Sequence, residues 1–562
     1  MDATTSLALW SLIGAAAATE IKVSQAGYPT RGEKVALVAT ESPAETFRVR
    51  SVGDDAVRLE GRLGEPVPDA ASGDAVRAAD LSALTTPGTY VVEVPGVGRS
   101  VPFPVGPDVF ARPLHLAMRS FYGQRCGIDV DLGPQLPGYR YRACHRDGAF
   151  HASSGRTGPR ASAKGWHDAG DYGRYVVNSG IATGTLLWAF ELHGERLRGL
   201  GLDIPESGDA TPDVLDEIRW NLDWMLSMQD EDGGAWPKQT SEGFPGFVMP
   251  HDDETTSFVI GTGVEPFKAS CATADLAAVA AIAARVYRPF DAAYADRAIE
   301  AAWRAWAWLG RHPNVPFRNP EGVSTGEYGD RDCGDERLWA AAELWRTTAD
   351  EAAHRYFVEH QAQRRAALVS DEPPSWANVA PLAFWAYALA PPGDSELRDA
   401  VRRDTLAAAD GVVERAAGNG YRIALTAGDY VWGSNGVAAN YGVQLLVAHA
   451  LRPDRRYVEA ARDHAYYLLG RNTFSLSWLT HVGANPYRHP HHRPSGADAV
   501  AEPWPGLLSG GPNRRRQDPA MEKLPDLPPA KMYADEEASY ASNEIAINWN
   551  APLVFLLAGI AE

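Results

Sequence analysis

Positive charge and long apolar runs are both scarce in this chain. Its 562 residues include 53 lysines and arginines against 72 aspartates and glutamates, which gives a formal net charge of −19. This balance argues against nucleic acid or an anionic membrane as the partner and fits a neutral or cationic substrate. Beyond the N-terminal segment, no apolar run reaches the roughly 20 residues that a membrane-spanning helix needs.

The N-terminal segment, residues 1–20, also lacks the lysine or arginine that normally precedes the apolar core of a secretory leader. It reads MDATTSLALWSLIGAAAATE, an apolar stretch of signal-peptide length followed by small residues. We interpret it as a leader or the remnant of one, so the chain is expected to be secreted or extracellular. Because the start is atypical, a cytoplasmic location stays open.

The chain is too long for one ordinary core, which predicts at least two domains unless one of them is a large barrel. Residues 21–106 alternate like strands, in stretches such as KVALVAT and GTYVVEVPG separated by turns rich in glycine and proline. Several short strands without a helix predict a small antiparallel β-sandwich of the immunoglobulin-like kind. The buried cysteine pair of antibody domains is missing.

Helical spacing dominates the remaining segment, 107–562. We predict helices at 109–124, 172–198, 211–229, 270–287, 290–310, 334–348, 351–365, 374–391, 395–416, 434–451, 454–470 and 540–560. An even number of helices joined by short links predicts an (α/α)6 barrel, with six inner and six outer helices. Two long stretches without regular structure, 231–268 and 472–539, are expected to be functional.

Two aspartates three residues apart stand out in GWHDAGDYGRYV, residues 165–176. A lone aspartate here would be interpreted as the N-cap of the following helix. Crowded like charges, however, raise one pKa of the pair and favour base chemistry, so Asp168 and Asp171 are candidate catalytic groups.

A base needs an acid, and Glu544 is the candidate. It precedes an apolar helix, where burial would raise the pKa of its carboxyl and keep it protonated, as a general acid requires. The alternative is that Glu544 only occupies the first turn of that helix.

Three motifs in the helical region resemble glycoside hydrolase family 9, the cellulase family. The first is the DAGD turn itself. The second lies in SWLTHVGANPYRHPHHR, with Ser477, Leu479, Thr480, Gly483, Asn485, Pro490, His491 and Arg493 in place. The third consists of Tyr533, Asp535, Tyr540, Glu544, Ala546, Asn550 and Ala551. Together with PWPGLLSGGPN (503–513), the leading sandwich resembles the subgroup with an N-terminal immunoglobulin-like domain.

The resemblance implies an (α/α)6 barrel that hydrolyses β-1,4-glucan with inversion. It implies Asp171 as the base that activates water, Asp168 as its assistant and Glu544 as the acid. His491 and Arg493 are implied as substrate-binding residues, and Tyr540 as a residue lining the cleft. We expect an endoglucanase that acts as a monomer on β-glucan polysaccharide or oligosaccharide, with neither nucleic acid nor membrane as partner.

Other functions stay open at this point. An exo-acting β-glucosaminidase of the same family would take cationic chitosan oligomers, which the −19 charge suits. The DAGD spacing is nevertheless the one that resembles cellulases. A cellobiohydrolase is also open, because loop lengths decide whether the cleft is a groove or a pocket. A non-catalytic glucan-binding protein is disfavoured by the three retained carboxyl residues.

The cysteines suggest a metal site. Cys126, Cys144, His145 and His167 form a tetrahedral zinc set by residue type, although their spacing is not that of a zinc finger. A disulfide between the two cysteines is the alternative in a secreted chain. The resemblance implies a structural zinc with a similar pattern. Cys271 and Cys333 are interpreted as core or helix-start thiols.

An acidic loop, STGEYGDRDCGDERLW (324–339), suggests a second metal. It clusters Asp330, Asp332, Asp335 and Glu336, and such oxygen ligands suit calcium. The alternative is a solvated loop with acidic residues favoured at a helix start. Because the family binds calcium at the equivalent loop, the resemblance implies a structural calcium here.

Overall fold

The computed structural model describes residues 20–368, 372–390 and 395–561. The predicted leader therefore lies outside the described residues, apart from Glu20. The first part of the described chain is a sandwich of two antiparallel sheets, ordered β1-β2-β6-β5 and β4-β3-β7-β8, with β9 also paired to β7. Its strands are β1 (Ile21–Lys22), β2 (Val35–Ala39), β3 (Thr46–Ser51), β4 (Val57–Arg62), β5 (Val67–Asp69), β6 (Asp74–Asp80), β7 (Gly88–Val94), β8 (Gly98–Arg99) and β9 (Phe103–Val105).

Alternation along the strands builds the sandwich core. In β7, Tyr90, Val92 and Val94 are buried, while the residues between them are less so. Successive side chains of a strand point to opposite faces, so this period of two places one face against the other sheet. The predicted immunoglobulin-like sandwich is confirmed.

The second part is helical. Its helices are α1 (Ala111–Gly123), α2 (Val176–Leu197), α3 (Asp213–Ser227), α4 (Ser270–Tyr287), α5 (Ala292–Arg311), α6 (Gly334–Thr348), α7 (Glu351–His360), α8 (Arg365–Leu368), α9 (Ala380–Leu389), α10 (Ser395–Ala417), α11 (Ser434–Leu451), α12 (Arg455–Leu468), α13 (Arg493–Ala497), α14 (Tyr540–Asn543) and α15 (Ile547–Ile560).

Six of these helices form a closed inner ring. In this ring each helix packs against the next, in the order α2, α4, α6, α9, α11 and α15, and α15 packs against α2. The outer helices α1, α3, α5, α7, α10 and α12 each pack against members of this ring. The predicted (α/α)6 barrel is confirmed.

Burial separates the two rings. The inner helix α4 is buried on all sides except at Arg285, whereas the outer helix α5 buries one stripe that includes Tyr294, Ala298, Ala302 and Ala305. A helix that is apolar all round belongs in a core, and one with a single apolar stripe belongs at a surface. Among the described residues, α4 alone is long and apolar enough to cross a membrane, and 94% of it is buried inside the protein.

Several of the predicted helices have the wrong bounds. The helix predicted at 374–391 is Ala380–Leu389, and the one predicted at 351–365 ends at His360. The helix predicted at 172–198 begins only at Val176, because Arg174 and Tyr175 form a strand, β14, which pairs with β15 (Lys238–Thr240). The helix predicted at 540–560 is broken, because Glu544 and Ile545 are extended and pair with His491 and Ser509.

A small sheet inside the helical region was not predicted. Its strands are ordered β13-β12-β16-β15-β14, and a separate pair joins β10 to β11. Two of them lie in the stretch 231–268, for which no regular structure was predicted. The bounds are β10 (Val130–Asp131), β11 (Arg140–Tyr141), β12 (Asp147–Phe150), β13 (Pro159–Ala161), β14 (Arg174–Tyr175), β15 (Lys238–Thr240) and β16 (Ser257–Ile260).

The interpretation of Cys271 and Cys333 as free thiols was wrong. The two cysteines form a disulfide with a Cα–Cα distance of 4.7 Å. Cys271 lies in the first turn of α4, and Cys333 is the N-cap of α6. Because these helices are neighbours in the inner ring, their starts meet although 62 residues separate the cysteines. Cys126 and Cys144 are free and buried, so the disulfide considered for that pair is absent.

Candidate active site

The DAGD turn is hydrogen-bonded to α15, the last helix of the inner ring. The Asp168 N–H donates to the carbonyl of Gly173 at 3.0 Å, which closes the turn. The N–H of Ile547, the first residue of α15, donates to the carbonyl of Asp168 at 2.9 Å. Two segments of the chain that are far apart in sequence therefore meet at this aspartate.

Gly170 explains why the turn needs a glycine at its centre. A Cβ atom at this position would lie 2.0 Å from the carbonyl oxygen of His491. The close approach lets the backbone N–H and the guanidinium of Arg493 both donate to the carbonyl of Gly170, at 3.1 and 2.8 Å. Only glycine permits such contact between two backbones. The first two motifs thus lie directly against each other.

Both carboxylate oxygens of Asp168 have protein donors. Asn178 donates to Oδ1 at 2.8 Å and Tyr328 donates to Oδ2 at 2.5 Å. Burial and the charge of Asp171 raise the pKa of Asp168 to about 8, against these two hydrogen bonds, which lower it.

Only one carboxylate oxygen of Asp171 accepts hydrogen bonds from the described residues. Its Oδ2 accepts from the N–H of Gly173 at 3.0 Å and from the hydroxyl of Tyr175 at 3.1 Å. Within the described part of the chain, nothing donates a hydrogen bond to Oδ1. Asp171 does not cap a helix, since α2 begins five residues later. One carboxylate oxygen is therefore free toward the cleft.

Glu544 stands in extended backbone between α14 and α15 and is not in the first turn of a helix. The N–H of Gly510 donates to its carbonyl at 2.7 Å. Burial and the charges of Asp171 and Asp168 raise the pKa of its carboxyl well above the usual value, although Arg493 lowers it. This direction favours the protonated form of the carboxyl, which is the form that a general acid needs.

These carboxyl groups share one cleft of about 940 Å³. His491, Arg493 and Tyr540, which were predicted to contact substrate, line it too. Its wall also includes Tyr175, Phe244, Tyr328, Trp376, Trp432, Arg515 and Trp549. Trp432 is 40% exposed, and its ring lies 5.6 Å from that of Tyr540, so flat aromatic surface is available to a sugar ring.

The tyrosines that hold the aspartates were not predicted. Tyr175 stands next to the DAGD motif but was assigned to a helix. Tyr328 lies 160 residues from Asp168, in the loop considered only for calcium. Their rings are 4.9 Å apart, so the donors to the two aspartates also contact each other. No local pattern could have found Tyr328.

The predicted zinc residues come together. The ligand atoms of Cys126, Cys144, His145 and His167 all lie within 4.8 Å of one another. Three of the four residues are buried, and the Nδ1 atoms of both histidines have no hydrogen-bond partner among the described residues. Two thiols and two imidazoles that converge in a buried space fit a closed, four-coordinate zinc site.

The predicted calcium residues converge less well. Asp332 is paired with Arg364, whose guanidinium is also 3.6 Å from Asp335. Glu336 is fully buried, and within the described residues neither of its carboxylate oxygens has a hydrogen-bond donor. Asp330 borders a small cavity beside Tyr328. The unpartnered carboxylate of Glu336 therefore fits a cation best, whereas Arg364 already pairs with Asp332 and approaches Asp335.

Comparisons with known proteins decide the family. The model of glycosyl hydrolase family 9 matches residues 110–557, and the model of the cellulase N-terminal immunoglobulin-like domain matches residues 16–99. The chain belongs to glycosyl hydrolase family 9.

Similar proteins agree with this assignment. Endoglucanase D of Acetivibrio thermocellus is 36% identical over 97% of this chain and 84% of its own length. A xyloglucan-specific endo-β-1,4-glucanase of Bacteroides ovatus is 35% identical over 96% of this chain and 93% of its own. The crystal structure of a zinc-binding triple mutant of the family 9 endoglucanase J30 is 38% identical, covers 95% of this chain and 99% of its own, and has a TM-score of 0.87. The prediction of a family 9 glycosidase of the endoglucanase type is confirmed.

Proposed function

We propose that the chain cleaves internal β-1,4-glucosidic bonds of β-glucans by inverting hydrolysis. The observation that carries this proposal is the contrast between the two aspartates: both oxygens of Asp168 are held, whereas Asp171 keeps one oxygen free in the cleft that Glu544 shares. In an inverting glycosidase, one carboxylate takes a proton from water while a carboxylic acid protonates the leaving oxygen.

Each residue then has a separate part in the reaction. Asp171 accepts the proton of the attacking water through its free Oδ1, and Asp168 helps to hold that water. Glu544 gives its proton to the glycosidic oxygen as the bond to the anomeric carbon breaks. The attacking oxygen ends on the opposite face of the sugar, so a β-linked glucan yields an α-anomer.

His491 and Arg493 would contact the substrate near the cleaved bond, with different freedom to do so. The guanidinium of Arg493 already donates to the carbonyls of Pro245 and Gly170. The Nδ1 of His491 lies 2.7 Å from the carbonyl of Glu537, which leaves its Nε2 for a sugar hydroxyl. Tyr540 offers its ring beside His491 at 5.8 Å.

Product analysis tests the substrate class. We expect cellohexaose and barley β-glucan to be cleaved at internal bonds, with a mixture of oligosaccharides as early products and a rapid fall in the viscosity of the polymer. Chitosan is the comparison substrate, because glucosamine release from its chain ends would identify the glucosaminidase alternative. Cellobiose as the sole early product would instead identify a cellobiohydrolase. Binding without any product would leave a glucan-binding protein.

We also propose a structural zinc held by Cys126, Cys144, His145 and His167, and a calcium ion held by Asp335 and Glu336. The zinc proposal is supported by the buried, converging donor atoms. The calcium proposal is supported by the buried carboxylate of Glu336, which has no donor among the described residues. When bound, each ion would supply stability. The zinc would do no chemistry, because a closed Cys/His site has no open position for substrate.

Replacing Cys144 with serine is expected to lower the melting temperature and the zinc content together, because metal binding energy appears as folding stability. Elemental analysis and thermal unfolding of the variant measure both, and about one zinc per wild-type chain is expected. A mild calcium chelator should have a separate and weaker effect, without loss of zinc. Zinc-free wild-type protein, or zinc that persists in the variant, would contradict the site.

We further propose that the enzyme is secreted and acts as a monomer on β-glucan, without nucleic acid or membrane as partner. Secretion is supported by the Cys271–Cys333 disulfide, since such bonds persist mainly in oxidising compartments. The net charge of −19 supports the exclusion of polyanionic partners.

A further inference from the structure

The segment 241–256 forms one wall of the active-site cleft. It joins β15 to β16 without regular secondary structure. Phe244 lines the cleft, and the ring of Phe247 lies 5.1 Å from that of His491. The guanidinium of Arg493 lies over both phenylalanine rings, at 5.6 and 5.4 Å, and donates to the carbonyl of Pro245 at 3.0 Å. The position of this segment therefore sets the surroundings of two candidate substrate-binding residues.

The other end of the same segment reaches the Cys/His cluster. Nε2 of His145 lies 2.9 Å from Oδ2 of Asp253, and the two side chains are only 6% and 3% exposed. The remaining ring nitrogen of His145, Nδ1, is buried without a partner among the described residues. An imidazole that gives one N–H to a carboxylate has its other nitrogen available for a metal ion.

A second contact joins the cluster to the middle of the segment. The hydroxyl of Tyr172 donates to the carbonyl of Val248. The ring of Tyr172 lies 5.4 Å from that of His145 and 4.9 Å from that of His167. Tyr172 follows Asp171 directly, so the base, the metal cluster and the cleft wall are linked by contacts through one residue.

We infer that Asp253 is the outer partner of the zinc ligand His145 and that zinc binding thereby sets the position of the cleft wall formed by 241–256. This inference rests on the proposed zinc site. The carboxylate fixes the tautomer and the orientation of the imidazole, and the metal-bound imidazole in turn anchors the carboxylate. A segment without regular structure depends on such anchors, because it has few backbone hydrogen bonds of its own. Asp253 is thus a positioning residue, for the metal on one side and for the glucan on the other.

Replacing Asp253 with asparagine distinguishes its role at the zinc site from its contact with the neighbouring backbone. Oδ1 of Asp253 also accepts from the N–H of Thr255 at 2.9 Å, a contact that shapes the turn. Asp253→Asn retains an oxygen for that contact but presents an amide N–H to the N–H of His145. The matched control is Asp252→Asn, because Asp252 carries the same side chain one position earlier and is 56% exposed.

The test measures zinc affinity, by competition with a chromophoric chelator, and amide hydrogen exchange across the segment. Asp253→Asn is expected to weaken zinc binding about 10- to 100-fold, the usual effect of losing an outer partner. It should also speed exchange within 241–256 and raise the KM for barley β-glucan more than it lowers kcat. Asp252→Asn should match the wild type in all three.

Wild-type protein stripped of zinc provides a second measurement that needs no variant. We expect faster exchange in 241–256 but not in the strands of the N-terminal sandwich. Unchanged exchange in this segment after zinc removal, or wild-type zinc affinity in Asp253→Asn, would overturn the inference while leaving the zinc site in place. A wild-type enzyme that contains no zinc would overturn both.

Discussion

Replacing Glu544 with glutamine is expected to slow hydrolysis of unactivated β-glucan by about 10²–10⁴-fold, the usual contribution of a general acid. Glutamine has nearly the same size and keeps a hydrogen-bonding oxygen, so glucan should still bind. What it lacks is the proton, which the surroundings of Glu544 retain by raising the pKa of the carboxyl. An aryl cellobioside with a good leaving group needs no such proton, and its hydrolysis should be impaired much less.

The pH dependence of activity gives a second expected result for this variant, with a definite direction. A group whose pKa is raised is protonated below that pKa, so the acid function of Glu544 is present at lower pH and is lost as pH rises through its pKa. The wild type should therefore show a falling alkaline limb in kcat/KM on barley β-glucan, and the variant should lack it. Glu536→Gln is the control, because this exposed glutamate belongs to the same segment. Near-wild-type turnover of Glu544→Gln would contradict the assignment.

How much of the structure the sequence predicts depends on how far apart the interacting residues lie along the chain. The barrel could be predicted because each helix carries its own spacing, and inner helices such as α4 differ from outer ones such as α5 in their apolar content. The short strands β14 and β15 could not be predicted, because Arg174, Tyr175 and Lys238–Thr240 carry no alternating apolar pattern. They become strands only through pairing, β14 with β15 and β15 also with β16.

The same distinction holds in the candidate site. Asp168 and Asp171 stand in one short motif and Glu544 in another, so the sequence alone was enough to choose them as candidates. Tyr328 donates to Asp168 across 160 residues, and Asp253 contacts His145 across 108. Such pairs exist only once the barrel has closed. The disulfide between Cys271 and Cys333 was missed for the same reason, since it joins the starts of two neighbouring helices.

Asp171→Asn is expected to lose more activity than Asp168→Asn, about 10²–10⁴-fold for the residue that takes the proton. The reason lies in their partners. Asp171 has one free oxygen in the cleft, whereas both oxygens of Asp168 accept hydrogen bonds from Asn178 and Tyr328. An asparagine at 171 cannot accept the proton of water at all. An asparagine at 168 can still accept one of these two hydrogen bonds, so its loss should be partial.

The stereochemistry of the first product decides between mechanisms. Azide is a nucleophile that needs no base, so it should restore turnover to Asp171→Asn and give a glycosyl azide of inverted configuration. NMR of the wild-type reaction should show the α-anomer first, with the β-anomer growing in only as the sugar mutarotates. A β-anomer as the first product would require a covalent intermediate and two displacements. That result would overturn the roles of both aspartates, because one of them would then have to attack the sugar directly instead of activating water.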